Sequence, residues 1–190
     1  MYQAYIDDYR AELLPHIEAI DSAQIGQIVE ALADAWRNDK QVFVLGNGGS
    51  AATANHFACD FGKNAVKGDK RRFRMLSLSS NVEAITALGN DISFDEIFRQ
   101  QLINLMNDGD VVLAISASGN SPDIIKAVTY AREKNGKVLS LAGFEGGQLK
   151  GLSDVCMVAN MSSYERIEDI HLIILHMVTC YVKDHQEMLA

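Results

Sequence analysis

The sequence predicts an α/β fold, a doubly wound five-stranded parallel sheet flanked by helices, with two further helices in front of it. Two observations carry this expectation. From residue 41 onward, short apolar runs at 41–46, 72–79, 110–116, 136–143 and 154–159 alternate with helical stretches at 50–62, 82–88, 94–106, 121–134 and 164–184. Strand, helix, strand in repetition gives parallel strands covered on both faces. The turns after the first and third runs are also rich in glycine and serine, at the strand ends where such sheets bind ligands.

Taken in order, the chain opens with Ile6, Tyr9, Leu13, Leu14, Ile17 and Ile20 at three- and four-residue spacing. The pattern restarts after Asp21-Ser22 with Ile25, Ile28, Val29, Leu32 and Trp36, so residues 1–40 are expected to form two amphipathic helices. No strand precedes them, and their apolar faces must pack on the later domain, on each other or on another subunit. Residues 41–190 form the α/β domain, with no linker rich in Pro, Gly or Ser to divide it.

Composition narrows the function. With 25 acids against 17 bases, the net charge of −8 argues against nucleic-acid binding, which needs clustered Lys and Arg. The one basic cluster, KGDKRRFR at 67–74, is expected to be a solvated connection before a strand. No uncharged apolar run approaches the roughly 18 to 20 residues of a membrane span, and the acidic, amphipathic N-terminus does not resemble a signal peptide. A cytoplasmic location is therefore expected. Cys59, Cys156 and Cys180 are too widely spaced for a CxxC motif and are expected to be reduced.

The first strand runs into Gly46-Asn47-Gly48-Gly49-Ser50, with a helix starting at Ala51 and Ser50 placed to cap it. Exposed amides and the helix dipole there favour an anion. Gly46 to Ala51 satisfies GxGxxA, but a dinucleotide site also needs an acid at the end of the second strand, where Ser77-Leu78-Ser79-Ser80 stands instead. No nucleotide cofactor is expected. The third strand ends in Ser116-Ala117-Ser118-Gly119-Asn120-Ser121-Pro122. One hydroxyl suffices for a helix cap, and this set, without a lysine or a P-loop pattern, suits a single phosphate monoester.

Two helices carry acid–base or metal-ligating side chains. His56 and Asp60 stand four apart on one face, a spacing that suits two ligands on a metal or a base and its orienting partner. On the last helix, Glu165, Glu168, Asp169 and His176 fall within an arc of roughly 100°, and about 12 Å of rise separates Glu168 from His176. At Gly89-Asn90-Asp91 a turn with a carboxylate is expected, and 145–148 reads as a flexible connection.

The motifs GNGGSAA (46–52), HFA (56–58), GND (89–91), SASGNSP (116–122), LAGFEGG (141–147) and ERIEDIHLIILH (165–176), in that order, resemble the sugar isomerase (SIS) domain family. Within it the chain is similar to the phosphoheptose isomerases, which interconvert sedoheptulose 7-phosphate and D-glycero-D-manno-heptose 7-phosphate for bacterial surface glycans. The resemblance implies a sugar phosphate site lined by Ser50, Ser116, Ser118 and Ser121, shaped by Asn47 and Gly48, with Asp91 near the sugar hydroxyls. It further implies Asp60 as catalytic carboxylate, His176 as catalytic histidine, zinc held through His56, Asp60, Glu168 and His176, and a homotetramer with the N-terminal helices in a central bundle.

Four positions depart from the family pattern: Asp60 replaces a glutamate, Cys59 an alanine or glutamate, Glu168 a glutamine, and Asn64, beside Lys63, a basic residue. The first shortens the carboxylate arm by about 1.5 Å, and the third adds negative charge that favours a divalent cation. Two other functions compete: a non-catalytic member of the family, of the type that associates with the replication initiator, and an isomerase of another phosphosugar. Asp60 and His176 together favour an enzyme.

Overall fold

The computed structural model describes residues 1–189, so residue 190, the last of the 41–190 span, lies outside it. Two helices, α1 (Tyr2–Glu18) and α2 (Ser22–Arg37), precede β1 (Gln41–Gly46), α3 (Gly48–Asn64), β2 (Arg74–Ser77), α4 (Val82–Asp91) and α5 (Ile97–Leu105). Then follow β3 (Val111–Ser116), α6 (Pro122–Glu133), β4 (Lys137–Gly143), α7 (Leu149–Leu152), β5 (Val155–Ala159) and α8 (Tyr164–Asp184). All strand pairs are parallel, in the order β2-β1-β3-β4-β5. Connections run one way from β1 to β2 and the other way from β2 onward, so the switch point lies between β1 and β3.

Alternation along the strands builds a core on each face. Val42, Val44, Val111, Leu113, Ile115, Leu139 and Leu141 pack against α2, α3 and α8. Phe43, Leu45, Val112, Ala114 and Val138 point the other way, onto α5, α6 and α7. Helix α2 belongs to the first of these cores through Ile28, Leu32 and Ala33, each fully buried. Helix α1 buries no residue, and Tyr2, Tyr5, Ile6 and Leu14 lie exposed. Polar contacts hold it to α8: Tyr9 donates to Asp169 at 2.6 Å, and Arg166 pairs with Glu12 at 2.9 Å and stacks on the Tyr9 ring.

Several boundaries differ from the expectation. Strand β2 is confined to 74–77, and the 67–74 cluster is exposed apart from Phe73, as a solvated connection would be, with Arg72 donating to the Val66 carbonyl and Arg71 to the Trp36 carbonyl. Helix α4 continues through Gly89, Asn90 and Asp91 instead of turning there, closed by the Ile92 amide on the Leu88 carbonyl at 3.0 Å. The connection at 145–148 leads into the four-residue helix α7, and a 3-10 turn at Gln186–Leu189 follows α8. All three cysteines are free, and among the described residues no helix is long and apolar enough to cross a membrane.

Candidate functional site

Helices α3, α6 and α8 all begin at the carboxyl end of the sheet, and their first turns converge on one cavity of about 200 Å³. Asn47, Ser50, Ser116, Ser118, Ser121, Tyr164 and Glu168 line it. Each first turn directs unpaired amides and the positive end of a helix dipole inward, so the cavity favours an anion without a lysine or arginine on its wall. The Ser116 hydroxyl lies 3.5 Å from that of Ser118 and 3.4 Å from that of Ser121. Amides of Gly119 and Asn120 donate to Ser116 and Ser118, each at 3.2 Å. These bonds aim the hydroxyls at a common point.

A close approach of two loops fixes this arrangement. Gly119 has φ 63°, and a side chain there would collide with the carbonyl of Gly146. Only glycine fits the backbone and the gap together. On the other side, α3 begins at Gly48, earlier than the expected Ala51, because Gly48 turns the chain at φ 55°. Ser50 is thus a buried first-turn residue instead of the cap. Asn47 occupies the cap position, but its side chain donates to Asp123 at 2.8 Å rather than to the helix.

A second cluster lies further down the groove between α3 and α8. His56 and His176 bring their Nε2 atoms within 2.9 Å, while Asp60 Oδ2 lies 3.6 Å from the first and 4.0 Å from the second. The two imidazoles are each 47% exposed and the Asp60 side chain 36%, so the cluster is open to a ligand. Bonds of about 2.0–2.2 Å to a tetrahedral zinc ion set ligand–ligand separations of roughly 3.3–3.5 Å. The spacings of His56, Asp60 and His176 bracket that range, so this donor set fits a divalent metal.

Glu168 stands apart from that group and lies at the phosphate-sized cavity instead, with its carboxylate against the open face of Gly49. Burial, with Glu165 and Asp169 nearby, pushes its carboxyl above the ordinary range. The 12 Å of helix between Glu168 and His176 accounts for this separation. Asp91 is also apart from both clusters. It ends α4, exposed, with its Oδ1 accepting from Asn90 at 2.8 Å. Gly48 is exposed at the head of α3 beside the cavity.

Three residues escaped the sequence reading. Tyr164, on the cavity wall, stacks edge-on with Phe144 at 5.3 Å. Its neighbourhood depends on the fold of the 143–147 loop, which no local pattern gives. Asp123 reads as an ordinary acidic residue in a first helical turn, yet it is 2% exposed. His171 is fully buried, its Nε2 at 3.0 Å from the Ala142 carbonyl and its Nδ1 without a partner among the described residues. Burial pulls its pKa down to about 4, so the ring is neutral and braces the end of β4.

The SIS domain family matches residues 4–143. Phosphoheptose isomerase of Helicobacter pylori (strain P12) is 34% identical over 187 residues, covering 95% of this chain and 97% of the relative. That of Geobacter sulfurreducens is 36% identical over 179 residues, 91% of this chain and 94% of the relative. The solved structure of phosphoheptose isomerase from Neisseria gonorrhoeae superposes with a TM-score of 0.89 at 30% identity, covering 97% of this chain and all of the other. With the fold, the serine cavity and the His-Asp-His cluster in place, these similarities establish that the chain belongs to the phosphoheptose isomerases of the SIS-domain family.

Proposed function

We propose that the chain interconverts sedoheptulose 7-phosphate and D-glycero-D-manno-heptose 7-phosphate as an aldose–ketose isomerase. The observation that carries this is a distance. Glu168 marks the serine cavity and His176 the acid–base cluster on the same helix, eight residues and about 12 Å of rise apart. From C–C bonds of about 1.5 Å, an extended seven-carbon chain with its phosphate ester spans roughly 10 Å. Phosphate in the cavity then puts C1 and C2 at the cluster, whereas a three-carbon substrate falls short by about half that length.

In this reading the hydroxyls of Ser50, Ser116, Ser118 and Ser121 and the amides of three helix ends hold the phosphate. Asp60 removes the proton from the carbon beside the carbonyl, leaving an enediol, and returns it to the neighbouring carbon. His176 carries the matching proton between the C1 and C2 oxygens, so that no hydrogen is gained or lost overall. His56, Asp60 and His176 would hold a zinc ion, which supplies Lewis-acid polarisation of the carbonyl. Asn64 donates to Asp60 Oδ1 at 3.2 Å and so orients the carboxylate, leaving Oδ2 toward the histidines.

The exposed apolar side chains of α1, together with the groove between Ile17, Ile20, Ile25, Met177 and Tyr181, support self-association, and a homotetramer is the proposed assembly. The reaction is tested in deuterated water with sedoheptulose 7-phosphate, by NMR, with added zinc and with a chelator. Aldose formed only with metal is the expected product, with deuterium at C2 in the fraction of turnovers in which the proton on Asp60 exchanges with solvent before it is returned. A folded protein that binds phosphate but forms no aldose would point instead to another phosphosugar or to the non-catalytic reading.

A further inference from the structure

The two loops that frame the serine cavity sit on opposite sides of the β1/β3 switch point, where the chain leaves the sheet in opposite directions. The β1–β3 ladder ends at the pair Gly46–Ile115, and beyond it the two loops are no longer joined by strand pairing. Among the described residues, one side-chain hydrogen bond crosses between 47–50 and 116–123: Asn47 Nδ2 donates to Asp123 Oδ2 at 2.8 Å. Asp123 is itself absent from the cavity wall and 2% exposed. Its burial raises the carboxyl pKa, while Asn47 and the amides of Ile124 and of Asp123 itself act to lower it. A buried acid next to a phosphate site is electrostatically unfavourable, and helix capping alone does not require it to be buried or to reach another element.

We propose that Asp123 is a positioning residue for phosphate binding, acting through Asn47 to hold the β1–α3 loop and Ser50 in register with Ser116, Ser118 and Ser121. This deepens the function proposed above and rests on the serine cavity being the phosphate site. Chemistry favours an acid here. An ionised carboxylate only accepts, so it fixes the Asn47 amide with its nitrogen toward Asp123 and its oxygen away. An asparagine at 123 can accept the same bond through its carbonyl, but its own amide can also turn over.

The test measures inorganic phosphate binding by calorimetry and turnover of sedoheptulose 7-phosphate on the full chain. Asp123→Ser keeps a hydroxyl for the α6 amides but is too short to reach Asn47. It is expected to weaken phosphate about 10-fold, the scale of one hydrogen bond to a charged group. KM should rise by a similar factor with kcat within about 3-fold, the signature of lost ground-state binding. Asp123→Asn should recover most of the affinity. In an Asn47→Ala background, Asp123→Ser should change the phosphate affinity less than about 2-fold, because the contact is already gone.

Asp123→Thr fills more of the vacated space and carries the same expectation if the serine variant folds poorly. Phosphate affinity like wild type in a folded Asp123→Ser or Asp123→Thr protein overturns the proposal. So do effects of Asn47→Ala and Asp123→Ser that multiply, a fall in kcat at unchanged KM, or a wild-type chain that binds no phosphate. If phosphate binding follows the pattern while wild type fails to isomerise the heptose, the positioning role stands and the proposed substrate is what fails.

Discussion

Protonating His171 should destabilise the fold by an amount that can be worked out. The ring is fully buried and its pKa is pulled from 6.5 to about 4, so the folded state resists a proton that the unfolded chain accepts. Stability is therefore complete above about pH 6.5 and falls as pH drops toward 4. Each unit of difference corresponds to about 1.4 kcal/mol, and linkage over pH 7 to 5 gives a loss of about 2 kcal/mol. Glu168 and Asp123 act in the opposite sense, because their raised pKa values favour the protonated folded state. Glu96, held down to about 2 by Lys126, contributes stability that is lost only below about pH 4.5.

Comparison with a variant isolates the histidine. His171→Asn keeps a donor for the Ala142 carbonyl but does not titrate. Urea unfolding at fixed protomer concentration, at pH 7, 6 and 5, should show wild type losing about 2 kcal/mol more than the variant. Parallel losses in the two proteins would refute the account of a neutral, buried His171.

Other expectations follow from the same geometry. Asp60→Asn and His176→Gln should each lower kcat by about 100-fold with unfolding midpoints unchanged, read by steady-state kinetics and urea titration. Glu168→Gln removes a negative charge from the edge of the anion cavity and should tighten inorganic phosphate binding by about 3- to 10-fold in calorimetry. Gly119→Ala, at φ 63° and against the Gly146 carbonyl, should cost at least about 1 kcal/mol in unfolding and raise KM. An unaltered midpoint and KM would show that the loop contact is dispensable.

What the sequence revealed follows from how local each signal is. Strands β1, β3, β4 and β5 and helices α6 and α8 were legible because apolar runs and helical periodicity are written in neighbouring residues. The serines of 116–121 and the His56–Asp60 pair were legible for the same reason, within one loop or one turn. The meeting of His56 with His176, 120 positions away, depends on the register of α3 against α8, which no local pattern encodes and which only the family resemblance implied. Burial of Asp123 and His171 depends on what packs over them, so each passed as an ordinary helical residue. Arg71 and Arg72 are exposed, as a solvated connection before β2 requires, and their bonds to the Trp36 and Val66 carbonyls depend on how the elements pack, which no local pattern encodes.

The central claim, that the spacing between the serine cavity and the His-Asp-His cluster selects a seven-carbon sugar phosphate, is tested most directly by a substrate series. Under identical metal loading, kcat/KM is measured for ketose phosphates of five, six and seven carbons bearing a terminal phosphate. A maximum at seven carbons is expected, falling by at least about 10-fold per carbon removed as C1 and C2 draw away from Asp60 and His176. Equal or greater efficiency with the shorter sugars would contradict it.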